Sequence, residues 1–203
     1  DPNAWKEHLT RNRDGNVEGT LHNLILIMEN DDRLKGLWWL NDSSNQVKLH
    51  RDPPWTGGSR DEFIDSDAYE LAAWLQHPDR YWMKCSDDLV LKAVIAVARR
   101  HRRHPIKDYL GALQWDGVPR VERMLVELFG AADNAYSLRA AQCFMVSAVA
   151  RILWVDAKQP SVGAQVDFML VLEGEQGKRK SSALRAIFGS EWFVETSESP
   201  SGK

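Results

Sequence analysis

Residues 166–189 read VDFMLVLEGEQGKRKSSALRAIFG and join three patterns in one stretch. The run VDFMLVLEG is apolar and has the length of a buried strand. The loop GEQGKRKSS contains glycine and basic residues, and it leads into ALRAIFG, which is typical of a helix. A strand, a glycine-rich turn and a helix in this order form the architecture that binds polyphosphate. The stretch therefore predicts the start of a P-loop α/β core.

The loop matches most of the phosphate-binding pattern G-x-x-x-x-G-K-[ST], with Gly174, Lys180 and Ser181 at three of its fixed positions. Backbone N–H groups of such a loop and of the following helix point at the anion, and the helix dipole adds to the attraction. We expect Lys180 to contact the terminal phosphates of a nucleotide and Ser181 to take one position on a nucleotide-bound Mg²⁺. The predicted nucleotide-binding residues are Gly174, Glu175, Gln176, Gly177, Lys178, Arg179, Lys180, Ser181 and Ser182.

Arg179 stands where the pattern requires its second glycine. Glycine at this position lets the backbone approach phosphate, so an arginine predicts a clash or a disfavoured backbone dihedral. Moving the register so that Lys178 becomes the phosphate lysine gives a worse match, because Leu172 then replaces the first glycine. A basic turn between a buried strand and a helix, with no nucleotide, stays open as the alternative interpretation of this loop.

The composition is that of an ordinary globular protein, with 203 residues of which 43% are hydrophobic and 27% are charged. The two cysteines, Cys85 and Cys143, have no companions at metal-ligand spacing, which argues against a disulfide scaffold and a zinc site. No apolar run has the length of a membrane span, and the first residues lack the apolar core of a signal peptide. We therefore expect a cytoplasmic protein with no membrane partner.

Turn signals divide the chain upstream of the loop into helical blocks and one hairpin. Thr20 predicts the N-cap of a helix, and the runs LWWL and QVKLH predict a hairpin around the turn NDSSN. Asp65 or Ser66, and then Ser86, predict the starts of two helices in a helix-turn-helix-like arrangement.

A longer helix is predicted from about Ser137 to Leu153, with a continuous apolar face that indicates a core position. The residues of this face are Leu138, Ala141, Met145, Ala148, Val149 and Ile152. Together the patterns predict a mixed α/β fold that is predominantly α. Its predicted parts are a mixed helix and hairpin subdomain over 1–58, a helical, helix-turn-helix-like subdomain over 59–155, and the truncated start of a P-loop ATPase core over 166–203.

The net charge is −3, but the charge is unevenly distributed. No acidic residue occurs between Leu89 and Lys107, and the cations of this stretch gather at the end of an amphipathic helix that Pro105 is predicted to stop. Such a cluster can bind the phosphates of DNA with a strong dependence on salt. The candidate DNA-binding residues are Lys92, Arg99, Arg100, Arg102, Arg103 and Lys107.

Two alternatives to this DNA-binding hypothesis stay open. Cations at a helix C-terminus are favoured by the dipole in any protein, so the cluster is also typical of a solvated helix end. Tryptophans can stack on single-stranded bases, but they are more often core residues. The tryptophans considered for stacking are Trp38, Trp39, Trp55 and Trp82.

Three stretches, RHPIKDYLGALQWDGVPRVERML, VSAVARIL and DFMLVLEGEQGKRKSSALRAIFGSEWF, together resemble the virulence-associated protein E family. The matching residues are His104, Pro105, Tyr109, Leu110, Leu113, Trp115, Asp116, Gly117, Pro119 and Arg120, and around the loop Glu173, Gly174, Gln176, Gly177, Lys180, Ser181, Leu184, Arg185, Trp192 and Phe193. Members are phage, plasmid and pathogenicity-island proteins related to primase-helicases, with a superfamily III-like P-loop ATPase core. The resemblance implies ATP and Mg²⁺ as ligands, single-stranded or forked DNA as a partner, and a ring-shaped homo-oligomer for the complete protein.

Two departures from the family pattern limit what this chain is expected to do. Arg179 replaces the family's glycine, and residues 183–203 contain neither the acidic strand nor the arginine that a P-loop ATPase needs. We therefore expect the N-terminal part of a longer replication protein, or a truncated homologue, that does not hydrolyse ATP efficiently by itself and has no catalytic residue of its own. The alternative is a non-catalytic DNA- or partner-binding module with a vestigial P-loop.

Overall fold

The computed structural model describes residues 2–55, 61–154 and 164–195. Contacts between Cα atoms group the chain into two compact units, Asp1–Ala112 and Leu113–Lys203. Most of the described secondary structure is helical, and one small sheet is present, so the predicted mixed and predominantly α fold class is confirmed. No helix among the described residues combines the length and the apolar character that crossing a membrane requires.

The first unit contains most of the regular structure. In chain order it consists of a 3₁₀ helix Ala4–His8, α1 Leu21–Asn30, β1 Trp38–Asn41, β2 Gln46–Leu49, α2 Asp65–Gln76, α3 Asp87–Arg100, β3 Arg102–Arg103 and α4 Pro105–Ala112. The sheet has the order β2-β1-β3, in which β1 pairs with β2 antiparallel and with β3 parallel. The predicted hairpin is therefore confirmed, and β3 is an addition that the sequence did not indicate.

Local capping explains where the helices of this unit begin. The Thr20 hydroxyl accepts a hydrogen bond from the Asn23 N–H, and the Ser86 hydroxyl accepts one from Leu89 N–H, as predicted. The prediction for α2 is wrong by one residue or more, because Ile64 occupies the N-cap position. Its N–H donates to the Asp67 carboxylate at 2.8 Å, so an acid three residues inside the helix closes this end.

The end of α3 also differs from the prediction. The helix stops at Arg100, and Pro105 begins α4 instead of ending α3. Proline is favoured in the first helical turn, because its fixed φ suits the helix and its missing N–H has no partner there in any case. Between α3 and α4 the chain is extended, and Arg102 and Arg103 pair there with β1.

The core of the first unit lies around α3, which contacts α1, α2 and β1. Leu24 and Ile27 of α1, Leu71 of α2, and Val90 and Val94 of α3 are fully buried. Residues 77–86 connect α2 to α3, a longer link than the three- or four-residue turn of a DNA-binding helix-turn-helix. Because α1 packs against α3, the first unit combines residues from both sides of the predicted boundary at residue 58, and the three-part division remains a prediction.

The second unit has a much smaller core. It contains α5 Met124–Phe129, α6 Ala135–Leu153 and α7 Lys180–Phe188, and α5 packs against α6. Its described buried apolar residues are Met124, Leu125 and Ala141. Of the apolar face predicted for α6, Ala141 is buried, Val149 is exposed and the other members are half-buried.

The strand predicted for VDFMLVLEG does not form, because residues 164–175 contain no strand. A strand is held by the hydrogen bonds of a neighbouring strand, and the described residues of the second unit contain none. Leu170 and Leu172 nevertheless pack against the small core, while Met169 and Val171 between them are exposed. The side chains thus alternate between core and solvent as in an extended strand, but within the described part of the chain the segment has no hydrogen bonds to a neighbouring strand. The start of a P-loop core that rests on a sheet stays a prediction.

Candidate functional site

The glycine-containing loop predicted to bind phosphate ends at the first residue of α7. Arg179 is the N-cap of this helix and makes no side-chain capping bond, and the first helical hydrogen bond runs from Ala183 N–H to Arg179 C=O at 3.0 Å. The amides of a helix's first turn have no partner inside the helix, and the dipole places partial positive charge there. The first turn of α7, which contains Lys180, Ser181 and Ser182, is therefore suited to an anion.

The loop folds back onto the Lys180 side chain. Lys180 Nζ donates hydrogen bonds to the backbone oxygens of Gly174 and Glu175, both at 2.9 Å. Gly174 has a φ of 152°, and a Cβ built on it would lie 3.8 Å from that Nζ. Gly174 and Lys180, the first and the seventh residue of the predicted motif, are thus in direct contact, and the ammonium group of Lys180 lies beside the first two residues of the loop.

Arg179 adopts the backbone conformation that glycine has at such positions. Its φ is 57° and its ψ is 29°, in the left-handed region, and its side chain is exposed. Left-handed backbone costs an L-residue roughly 1–2 kcal/mol. The predicted disfavoured dihedral is therefore confirmed, and the turn keeps its path although the glycine is missing.

The remaining predicted loop residues lie around this turn. Gly177 has a φ of 84°, and Lys178 forms an ion pair with Glu175 at 3.3 Å. Gln176, Ser181 and Ser182 are exposed. The structure therefore brings the nine predicted residues into one loop and one helical turn, while their roles toward nucleotide and Mg²⁺ remain predictions.

A groove of about 700 Å³ adjoins this loop within the second unit. Its walls are α5, α6 and residues 168–173, and Lys180 lies at its border. The aromatic residues that line it are Phe129, Tyr136, Phe144 and Phe168. The groove is a mainly apolar space next to a cationic loop, a combination that the sequence did not indicate.

The candidate DNA-binding cations lie in the first unit. Lys92, Arg99 and Arg100 are on α3, Arg102 and Arg103 form β3, and Lys107 is on α4. All six side chains are exposed. The structure therefore agrees with a cationic surface, to which we refer as the basic surface.

Four of these cations form ion pairs, two with acids that are distant in the chain (Asp42 and Glu29) and two with acids within five residues (Asp88 and Asp108). Arg102 pairs with Asp42 at 2.8 Å, Arg103 with Asp108 at 3.5 Å, Lys92 with Asp88 at 2.7 Å, and Arg100 with Glu29. For Arg99 and Lys107, the described part of the chain contains no ion pair. Exposed pairs contribute at most about 1 kcal/mol, so a phosphate can replace the acid.

The tryptophans considered for stacking separate into two groups. Trp38 is fully buried and stacks with Trp55 at 6.2 Å, and the Trp55 indole N–H donates to Asp67 at 3.2 Å. These two are structural, as the alternative interpretation predicts. Trp82 is 57% exposed, and Trp39 is half-buried on the outward side of the sheet.

Sequence reasoning missed the surroundings of Trp39. The ring of His50 stacks on it, and the Arg103 guanidinium lies over the same indole. Only the histidine's position directly after a β-prone run could have indicated this, because side chains two places apart on neighbouring strands can meet diagonally.

Asp116 and Arg120, in the WDGVPR segment, form a closed local turn. The Asp116 carboxylate accepts hydrogen bonds from the Val118 N–H at 3.0 Å and from the Arg120 guanidinium at 2.9 Å. These bonds lower the pKa of Asp116 to about 2, and the bond from Arg120 has the larger effect. The acid therefore organises the turn, and the arginine is paired locally.

A comparison with known protein families finds a match, which covers nearly the same residues as the second unit. Residues 110–203 match the family model of the virulence-associated protein E-like domain. The matched range contains both the WDGVPR turn and the loop around Lys180, so the resemblance predicted from these residues is confirmed. No curated protein matches the chain.

Proposed function

We propose, from the match of residues 110–203 to the virulence-associated protein E-like domain, that this chain belongs to a mobile-element DNA replication protein and contributes the phosphate loop of its ATPase. The contact between Lys180 Nζ and the backbone oxygens of Gly174 and Glu175 carries the proposal. This contact folds the loop back onto Lys180 at the start of α7, whose N-terminus has no side-chain cap. This arrangement supports the binding of a nucleotide's phosphates.

The roles proposed for the loop residues follow from their chemistry. The Lys180 ammonium would exchange its two backbone acceptors for terminal phosphate oxygens, which bind an ammonium more strongly because they are charged. Backbone amides from Gly174 to Lys178 and the first turn of α7 would surround the phosphates. The hydroxyl of Ser181, in that turn, suits Mg²⁺ as an oxygen ligand, and the ion would neutralise phosphate charge. ATP with Mg²⁺ is therefore the proposed ligand.

DNA binding by the basic surface is the second part of the proposal. The six cations are exposed, and the four that pair with acids can exchange those acids for phosphates, with the salt dependence that counterion release produces. The family resemblance supports single-stranded or forked DNA as the partner and a ring-shaped homo-oligomer for the complete protein. A cytoplasmic location, expected from the sequence, is part of the same proposal.

A non-catalytic module with a vestigial loop is the competing function, and two observations favour it. Residues 164–175 form no strand to support the loop, and Arg179 occupies a left-handed position in which glycine would be unstrained. In this case the loop would be a structural turn, and the lysine would serve only to hold Gly174 and Glu175.

Nucleotide titration distinguishes the two functions. We expect a fluorescent ATP analogue to bind the native chain with Mg²⁺, to bind Lys180→Ala about tenfold or more weakly, and to bind Arg179→Gly at least as well as the native chain. Lys178→Ala is the matched control, because it removes a neighbouring exposed lysine that is paired with Glu175. If Lys180→Ala loses no affinity and Arg179→Gly gains none, the vestigial module is the correct function.

A further inference from the structure

The outward face of the small sheet combines an aromatic ring with cations. Trp38 and Leu40 of β1 point into the core and are buried, so Trp39 between them points to the other face. Its partner across the antiparallel pair is Lys48, and the parallel neighbour β3 contributes Arg103 opposite Asn41. A half-buried indole thus lies among basic side chains from both flanking strands.

His50 extends the aromatic surface of Trp39 toward solvent. The two ring centroids are 5.7 Å apart with an interplanar angle of 27°, and the histidine itself is exposed. The Arg103 guanidinium carbon lies 5.7 Å from the centroid of the Trp39 ring. Indole, imidazole and guanidinium planes that lie together at a surface provide the flat groups on which nucleobases stack.

The charges around His50 are mainly positive. Partial burial lowers the pKa of His50, and the charges of Arg103, Arg51 and His101 lower it further. Both effects favour the neutral form of the ring, and the charges that act on it are positive. A neutral aromatic group in a cationic environment suits a base that is attached to an anionic backbone.

The neighbouring acids leave this surface accessible. Asp108 lies 3.5 Å from Arg103, and Asp61 and Glu62 each lie 3.7 Å from Lys48. The long separations and the exposure of these acids make the pairs weak. Arg51 donates to the backbone oxygens of Asp32, Arg33 and Lys35, which anchors the segment that follows β2.

We propose that Trp39, His50 and Arg103 form a stacking site for a base of a single-stranded nucleic acid. The base stacks on the exposed His50 ring, which itself lies against Trp39, and Arg103 contacts the adjoining phosphate. A duplex is disfavoured because its bases are already stacked on one another, and an acidic peptide would use the cations but not the rings. The proposal rests on the DNA-binding part of the proposed function and adds a base-recognition site to it.

Fluorescence anisotropy with labelled oligothymidylate of about 15 nucleotides tests the site. The comparison ligands are an abasic strand with the same number of phosphates, an oligouridylate, a duplex and an acidic peptide. We expect His50→Ala to weaken oligothymidylate binding about tenfold with little effect on the abasic strand. Arg103→Ala should weaken both and reduce the salt slope by about one. Oligouridylate binding that weakens in the same way with His50→Ala would also support the site, because both strands offer unpaired bases for stacking.

Arg80→Ala is the matched control, because Arg80 is an exposed arginine whose guanidinium also lies over a tryptophan, Trp74, at 5.2 Å. It should leave strand binding unchanged. Trp39→Phe, which keeps an aromatic ring, should bind better than Trp39→Leu. Circular dichroism of each variant identifies those that fail to fold. Photocrosslinking needs no substitution, because it uses the native chain with bromouridine-containing strands. We expect the crosslinks to map to the peptide that contains Trp39 or His50.

The inference is wrong if His50→Ala affects the abasic strand and oligothymidylate equally, if crosslinks map away from the sheet, or if the acidic peptide or the duplex binds best. Lys180→Ala separates this outcome from the nucleotide proposal, because it should weaken nucleotide binding about tenfold or more and leave strand binding intact. Strand binding that depends on Arg99 and Lys107 but not on His50 would retain the basic surface and overturn only the stacking site.

Discussion

Lys180 Nζ lies 2.9 Å from the backbone oxygen of Gly174, six residues upstream. This bond joins the two ends of the glycine-containing loop, and the described residues before the loop, 164–175, form no strand. The loop conformation is thus maintained by its own residues, and Arg179 is strained as part of it. The loop is therefore the place where a single substitution should change both the stability of the unit and its binding of nucleotide.

Arg179→Gly should stabilise the second unit by about 1 kcal/mol. Glycine takes a φ of 57° without the steric cost that an arginine pays, and this gain exceeds the extra backbone entropy of glycine in the unfolded chain. Urea unfolding measures the change. Lys178→Gly is the control, since Lys178 has no positive φ and its replacement should destabilise by roughly 0.5–1 kcal/mol. Equal effects of the two substitutions would contradict the left-handed conformation of Arg179.

Gly19→Ala should destabilise the first unit by several kcal/mol. A Cβ at Gly19 would lie 1.7 Å from the backbone oxygen of Lys84, so the two segments would have to separate. Thermal unfolding followed by circular dichroism measures the loss. Gly15→Ala, where a Cβ would meet nothing within 4 Å but φ is 83°, isolates the cost of backbone strain and should destabilise by only about 1 kcal/mol. A smaller loss for Gly19→Ala than for Gly15→Ala would contradict the close approach.

Acid should weaken the first unit through Asp31. Burial opposes the charge of this carboxylate, but hydrogen bonds from Arg33 at 2.5 Å and Tyr81 at 2.5 Å outweigh it and lower its pKa from 3.8 to about 2. A depressed folded-state pKa stabilises the fold above pH 3.8, and this contribution is lost as the pH falls toward 2. The loss should amount to about 2 kcal/mol.

Urea unfolding of the native chain and of Asp31→Asn between pH 6 and pH 2 measures this contribution. Lowering a pKa by one corresponds to about 1.4 kcal/mol. Asp31→Asn should be less stable at neutral pH, and the difference should shrink as the pH falls. Asp14→Asn, an exposed substitution outside this network, serves as the control. A difference that stays constant across the range would show that Asp31 is not held as a carboxylate by its partners.

Neutralising the arginines of the basic surface should weaken DNA binding and flatten its dependence on salt. Each phosphate contact that is lost lowers the number of released counterions. The residues to be replaced together by glutamine are Arg99, Arg100, Arg102 and Arg103. Anisotropy titrations over a range of salt concentrations give the slope.

Asp42→Asn is the opposite change to this surface. It removes the acid that pairs with Arg102 at 2.8 Å and should raise DNA affinity severalfold. Unchanged affinity and slope in the arginine variant would place the DNA contact elsewhere, and a decrease with Asp42→Asn would show that the pair is needed for the shape of the surface.

Capping and periodicity predict the helices well, because both depend on contacts within a few residues. Thr20 and Ser86 each bond an amide three residues ahead, and the apolar spacing of α3 predicts the face that is buried. The error at Ile64 has the same local origin, since the acid that closes α2 lies inside the helix and not before it.

The residues of the candidate loop were predictable from the sequence, but the structure around the loop was not. The order of Gly174, Arg179 and Lys180 in the sequence already indicated a phosphate loop with one strained position. The apolar run before it predicted a strand, yet a strand exists only where a second strand supplies its hydrogen bonds.

The sequence by itself determined the helices with the caps at Thr20 and Ser86, the hairpin, the cation-rich segment and the loop pattern, since neighbours along the chain suffice for all of these. Tertiary structure decided that Asp42 and Glu29 neutralise part of that segment, and that Trp39, His50 and Arg103 meet on one sheet face. These contacts join residues that are distant in the chain. Their partners are therefore set by how the core around α3 packs, which local sequence does not encode.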